Sequence, residues 1–178
     1  VIVNITFHHI LGQGIDYTYD GKSYSFNKEV LENLDYTIRR MSEKSMTVTA
    51  IILNGWNDGT PQLVYPGVTK QPEDQVFYYG FNASTKEGYE TIKAIASFLA
   101  ERYSSLSSPY GKVSNWIIGN EINNQQWNYV GPMDIDRYIQ EYERAFRVFY
   151  TAIRSTNQND RLFFSTDYNW IHEANGTT

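Results

Sequence analysis

Apolar residues recur along this chain in two patterns, short continuous runs and longer stripes with a spacing of three or four. The short runs are rich in β-branched residues and predict buried strands. The stripes predict amphipathic helices. The predicted strands are residues 1–7, 46–53, 113–120 and 160–166. The predicted helices are residues 28–44, 84–103 and 134–155, the second of them opened by a capping box at Ser84.

Strands that alternate with helices predict an α/β fold with a parallel sheet and right-handed crossovers. The segments that follow strands are long, with residues 8–27 read as a polar, glycine-bearing loop. Residues 54–83 are far longer than an ordinary connection, which indicates a functional loop. Both a (β/α) barrel and an open doubly wound sheet place their sites at this end of the strands. No glycine-rich phosphate loop follows a strand, which disfavours nucleotide binding.

Composition narrows the class of protein further. The chain has 178 residues, for which one domain spanning 1–178 is the default, and its net charge of −5 argues against a nucleic-acid partner. The absence of cysteine excludes disulfides, thiolate metal sites and a cysteine nucleophile. No run reaches the roughly 20 apolar residues of a membrane span. The chain starts at Val1 without a signal peptide, so we expect a processed or excised piece of a longer protein.

Aromatic residues are abundant, with 15 Tyr, 9 Phe and 4 Trp, and many fall in predicted loops. Trp56, Trp127 and Trp170 are examples. Aromatic rings either pack a loop onto its scaffold or offer a platform for a ligand, and they stack well on the C–H faces of sugars. The sequence leaves both roles open for each ring.

Polar residues stand at the predicted carboxyl ends of all four strands. Because such ends share one edge of a parallel sheet, we expect these side chains to converge. The site predicted in this way consists of His8, Asn54, Trp56, Asn120, Glu121, Trp127, Asp167 and Trp170.

The segment Trp116-Ile117-Ile118-Gly119-Asn120-Glu121 resembles the Asn-Glu motif that closes the fourth strand in the large clan of retaining glycoside hydrolases with (β/α)8 barrels. The wider chain resembles the bacterial DUF5722 family, which is thought to be glycosidase-like. The resemblance implies that Glu121 is the general acid/base and that Asn120 contacts the sugar 2-hydroxyl. It implies no cofactor, and it makes a secreted or cell-surface bacterial protein plausible.

The resemblance also implies that only half a barrel is present. Counting from Glu121, the four β/α units are the second to fifth of eight, and the clan's nucleophile on the seventh strand lies outside this sequence. Retaining hydrolysis needs two carboxylates about 5–5.5 Å apart. Asp167 lies on the neighbouring strand and is not assigned as the nucleophile. We therefore expect the chain alone to lack turnover, although its longer parent would be an O-glycosyl hydrolase.

Two other hypotheses compete with this one. The chain could be a non-catalytic carbohydrate-binding or structural piece of a larger barrel protein, or an open α/β domain with other hydrolytic chemistry. His8 and His9, read as neighbours on a strand, would point to opposite faces, which disfavours a shared metal ion. Glu141 is predicted on a solvated helix face.

A half-barrel has two unpaired strand edges and an open apolar interior. Such edges promote association between chains. We therefore expect self-association, or pairing with the missing half of the barrel.

Overall fold

The computed structural model describes residues 1–168, and its elements follow the predicted alternation, with additional short elements in the segments that follow the first and second predicted strands. In chain order they are β1 (Ile2–Thr6), α1 (Phe7–Ile10), β2 (Gly14–Tyr19), β3 (Lys22–Asn27), α2 (Lys28–Glu43), β4 (Thr49–Leu53), a 3-10 turn (Pro61–Leu63), α3 (Lys86–Tyr103), β5 (Asn115–Ile118), α4 (Ile135–Thr156) and β6 (Arg161–Phe163).

Four of the strands form one parallel sheet in the order β1-β4-β5-β6. In register, Val3 lies beside Ala50, Ala50 beside Trp116, and Trp116 beside Leu162. The strands thus follow one another across the sheet in chain order, with no point at which the order reverses. A doubly wound sheet has such a reversal, so this part of the chain has the single winding direction of a mixed α/β fold with alternating helices.

Burial alternates along the strands and shows which face of the sheet the helices cover. Ile5, Ile52, Trp116 and Ile118 are fully buried in the same apolar core as residues of α2, α3 and α4. On the opposite face the side chains are partly or largely exposed, as at Ile2 with 64% exposure, except at the carboxyl ends of β1 and β4, where Thr6 and Leu53 are buried. Parallel sheets are normally covered on both faces. Among the described residues, no helix covers the opposite face of this sheet.

Each long helix begins at a capping side chain, because the first backbone N–H groups of a helix have no partner within it. Asn27 caps α2, Thr85 caps α3 and Asp134 caps α4, each by accepting a hydrogen bond from the N–H three residues on. The predicted capping box at Ser84 was therefore wrong by one residue. Ser84 instead donates its hydroxyl to the Asn82 side chain at 2.7 Å.

The segment 8–27 is not the loop that the sequence predicted. After the short helix α1 it forms an antiparallel hairpin of β2 and β3, joined by Asp20 and Gly21. Both turn residues have positive φ, 52° and 75°, which is the geometry that Asp-Gly favours in two-residue hairpins. The hairpin packs on α3, with the Phe26 and Phe98 rings stacked 3.8 Å apart.

No helix of the described residues has the length and apolarity needed to cross a membrane.

Candidate functional site

The predicted site residues that the structure describes do stand just beyond the carboxyl ends of the sheet strands. His8 follows β1, Asn54 follows β4, Asn120 and Glu121 follow β5, and Asp167 follows β6. They divide into two groups, an acidic turn after β5 and β6 and an aromatic cleft above β1 and β4.

Glu121 lies in a tight turn with an unusual backbone. Its φ is +41°, in the left-handed region that non-glycine residues seldom adopt. Gly119, two residues earlier, has φ of +76°, and β5 ends at Ile118. The predicted strand 113–120 therefore ends two residues early, and both Gly119 and Glu121 lie in the turn. Such backbone outliers cluster at functional sites.

Residues of the loop after β6 hold this turn from the side. The Glu121 N–H donates to Ser165 Oγ at 3.0 Å, and the Ile122 N–H donates to the Ser165 carbonyl at 3.0 Å. Further along, the Asp167 N–H donates to Asn123 Oδ1 at 2.7 Å. The loops after β5 and β6 are thus joined by direct hydrogen bonds.

Asp167 also contributes to the electrostatics of the turn. Its side chain is buried, and Asn124 Nδ2 donates to its Oδ2 at 3.4 Å. Burial first, and the negative charge of Asp167 second, raise the pKa of Glu121 above its ordinary value. A carboxyl group that keeps its proton nearer to neutral pH is suited to donate it, as a general acid must.

Two tyrosines of α4 support the turn from below, a contribution that the sequence reading missed. Tyr142 donates its hydroxyl to the Ile118 carbonyl at 2.7 Å, and Tyr138 donates to the carbonyl of Ile122. Asn128 Nδ2 in turn donates to the Tyr138 oxygen at 2.7 Å. Both tyrosines belong to the apolar stripe of the helix, so the sequence indicated only a core position for them.

Asn54 serves the architecture of the long loop. It is 1% exposed, and its Nδ2 donates to the carbonyls of Leu63 and Gly80 at 2.9 and 3.2 Å. Separately, the backbone carbonyl of Asn54 accepts the Tyr79 N–H at 2.7 Å. The side chain therefore fastens the loop that follows β4 and does not line the open cleft.

The aromatic cleft has a volume of about 580 Å³ and lies between the loops that follow β1, β4 and β5. Its wall includes three predicted site residues, His8, Trp56 and Trp127, together with Phe77 and Tyr78. The ring of Trp127 lies 4.7 Å from that of Phe77 and 6.1 Å from that of Tyr78. Glu121 and Asp167 are not among the residues that line it.

Backbone pairing between two loops forms one side of this cleft. The Phe77 N–H donates to the Gln126 carbonyl at 2.8 Å, and Tyr129 exchanges hydrogen bonds with Tyr78 and Gly80. The loop that carries Trp127 is therefore tied to the loop that carries Phe77 and Tyr78. The loop that carries Trp127 also contains Glu121, so this loop connects the aromatic cleft to the acidic turn.

His8 and His9 lie on a helical turn and not on a strand, so the prediction that they face opposite ways was wrong. Their ring centroids are 3.9 Å apart. Burial, followed by the proximity of His9, lowers the pKa of His8 to about 4, so its ring is neutral at physiological pH. Its Nδ1 is buried and makes no hydrogen bond within the described residues. Gly55 makes room for this ring, since a Cβ there would lie 1.8 Å from Nδ1.

No group of three or more His, Asp or Glu side chains within residues 1–168 is arranged to hold a metal ion. Trp170, the remaining predicted site residue, lies outside the described residues.

Comparison with known proteins adds a family but no activity. The model of a family described as "Family of unknown function (DUF5722)" matches residues 1–178. No curated protein and no solved structure matches the chain.

Proposed function

The chain belongs to the DUF5722 family, whose function is unknown, and we propose that it forms the acid/base half of a retaining glycoside hydrolase with a (β/α)8 barrel. In this proposal the described sheet supplies four consecutive barrel strands. The strand order without reversal and the single helix-covered face support it. The nucleophilic carboxylate would stand on a strand outside this sequence.

The observation that carries the proposal is the state of Glu121. It stands at the carboxyl end of β5, in a constrained turn, with a pKa raised by burial and by Asp167. In the proposed reaction the Glu121 carboxyl donates its proton to the glycosidic oxygen as the nucleophile attacks the anomeric carbon. The resulting carboxylate then takes a proton from the water that releases the sugar.

The aromatic cleft supplies a binding surface of the matching kind. Trp56, Trp127 and Tyr78 line it beside the neutral imidazole of His8. Aromatic faces with a few polar groups suit an uncharged ligand that is itself both polar and C–H rich. A carbohydrate has this character, and Asn120 would add an amide contact at the reacting sugar.

The test is a Glu121→Gln variant of the full-length protein, assayed on glycosides whose leaving groups differ in acidity. We expect turnover of a sugar with a poor leaving group to fall by roughly a hundredfold or more, because its departure needs the proton. Formation of the glycosyl-enzyme from a dinitrophenyl glycoside should fall far less, because that leaving group departs unaided. Glu143→Gln, an exposed glutamate paired with Arg147 at 2.6 Å, is the control.

Equal losses on both kinds of glycoside, or no loss, would remove Glu121 from the acid/base role.

A second candidate function is carbohydrate binding without turnover. The separation of Glu121 from the residues that line the cleft favours it. In that case Trp127→Ala would abolish oligosaccharide binding measured by calorimetry, while Glu121→Gln would leave it unchanged and no glycoside would be hydrolysed by the full-length protein.

A further inference from the structure

Ser165 makes three hydrogen bonds to the turn that carries Glu121, although it lies 44 residues further along the chain. Its Oγ accepts the Glu121 N–H at 3.0 Å, and its hydroxyl donates to Asn120 Oδ1 at 3.4 Å. Its carbonyl accepts the Ile122 N–H at 3.0 Å. One side chain therefore touches both residues of the Asn-Glu pair, and its single hydroxyl proton suffices for this arrangement.

The turn requires such a partner because its backbone is not self-supporting. Glu121 has φ of +41°, and no side chain other than Ser165 bonds to its N–H among the described residues. The carbonyl of Glu121 accepts the Asn124 N–H at 2.7 Å, which closes the turn on the other side. Conformations of this kind persist only where the surroundings hold them.

The same contact fixes which end of the Asn120 amide is available. Because the Ser165 hydroxyl donates to Oδ1 of Asn120, the Nδ2 group of the same amide faces away from Ser165 and can donate to another acceptor. Nδ2 of Asn120 makes no hydrogen bond to a protein group within residues 1–168. A free amide donor beside a carboxylic acid fits a ligand hydroxyl whose oxygen accepts.

We propose that Ser165 is a positioning residue: it holds the backbone turn that places the Glu121 carboxyl, and it orients the Asn120 amide toward a sugar hydroxyl. This inference rests on the proposed function and extends it by one residue that does not itself touch the reacting atoms. The charge of Asp167, two residues later, raises the pKa of Glu121, whereas Ser165 fixes the backbone position of Glu121.

The experiment compares Ser165→Ala with Ser165→Thr, which keeps the hydroxyl. Thr166→Ala is the matched control, because Thr166 is the exposed next residue and its hydroxyl makes no hydrogen bond within the described residues. The first readout is the pH titration of the Glu121 carboxyl group, monitored by carbon-13 NMR on the folded protein. The second is kcat and KM of the full-length protein on a glycoside with a poor leaving group.

We expect Ser165→Ala to move the Glu121 titration toward that of an ordinary glutamate and to lower kcat by about 10- to 100-fold, the scale of a small misplacement. KM should change less than kcat. Ser165→Thr should restore the Glu121 titration and kcat to their wild-type values, and Thr166→Ala should leave both quantities unchanged. A Glu121 titration that is the same in Ser165→Ala as in the wild type would overturn the inference.

The two proposals fail in different ways. If the full-length wild type hydrolyses no glycoside, the proposed function fails, and the NMR titration still decides whether Ser165 positions Glu121. If Glu121→Gln abolishes turnover but Ser165→Ala behaves like Thr166→Ala, the proposed function stands and the role of Ser165 is refuted.

Discussion

At the scale of single residues, the surroundings of Glu121 make its charged form unfavourable in the folded protein. Its raised pKa means that the folded protein binds the Glu121 proton more tightly than the unfolded chain does. The contribution of this group to stability is therefore lost as the pH rises from near 4.5 through the folded-state pKa. Above both pKa values the partly buried carboxylate, repelled by Asp167, lowers the stability of the folded protein.

Glu121→Gln should accordingly raise the melting temperature at neutral pH, because a neutral amide replaces a desolvated and repelled charge. The difference from the wild type should shrink as the pH falls through the folded-state pKa toward 4.5, and it should vanish at lower pH, where Glu121 is protonated in both states. Thermal unfolding followed by circular dichroism across this range measures it. Glu143→Gln is the control, and a destabilisation of Glu121→Gln that is independent of pH would contradict the expectation.

The sequence located Glu121 but could not describe its surroundings. Trp116 to Glu121 reads as a strand followed by a polar tip, and the structure agrees with that order. The left-handed turn is held by hydrogen bonds with Ser165 and Tyr138. These contacts join distant segments of the chain, and such contacts leave no local pattern in the sequence. Glu141 shows the converse error, because it was predicted to be solvated and is only 7% exposed, paired with Arg144 at 3.1 Å.

At the scale of elements, periodicity predicted the helices within two residues of their observed ends. Helix α2, for example, was predicted over residues 28–44 and runs from Lys28 to Glu43 between its capping residues Asn27 and Lys44. The hairpin was missed although Asp20-Gly21 stands between two alternating segments, which is a strong hairpin signal. The short helix α1 was not predicted, because its four residues are too few to show a period; Phe7 was assigned to the preceding strand and residues 8–10 to the loop.

A buried ion pair joins α2 to α3. Asp35 accepts hydrogen bonds from Arg102 Nε at 2.9 Å and from the Tyr103 hydroxyl at 2.8 Å. The guanidinium of Arg102 also lies 3.7 Å from the Tyr110 ring centroid. Removing Asp35 would leave a cation that is largely desolvated and has lost its partner, which is the costly way to break such a pair.

Asp35→Ala should lower the free energy of unfolding by about 3 kcal/mol, measured by urea denaturation. Glu32→Ala provides the matched control on the same helix, since its pair with Lys28 spans 3.8 Å between two exposed side chains. Glu32→Ala should lower the free energy of unfolding by less than about 0.5 kcal/mol. Similar losses for the two variants would show that the Asp35 pair contributes no more than a surface contact.

At the scale of the whole molecule, the uncovered sheet face governs how the chain behaves in isolation. Asn4, Ile51, Ile117 and Phe163 lie in one row across that face. Phe163 is 43% exposed on β6, an edge strand of the sheet. An exposed apolar face with free strand edges is a surface for pairing with another chain.

We therefore expect the 178-residue chain to self-associate, with a weight-average mass in sedimentation that rises with concentration. Phe163→Ser should shift this association to higher concentration. Tyr36→Ser is the control, because Tyr36 is a similarly exposed aromatic residue, 61% accessible, on helix α2. A chain that stays monomeric at high concentration would refute the expectation.

The hairpin described above also has a consequence for the order in which the protein folds. Its Tyr17 hydroxyl reaches Glu101, a residue 84 positions later, and Lys22 reaches Glu90, 68 positions later. During synthesis the hairpin therefore leaves the ribosome long before the helix that it packs on exists. Until α3 has been translated, Phe26 lacks the Phe98 ring that stacks on it, so we expect the hairpin to reach its final packing only after α3 is complete.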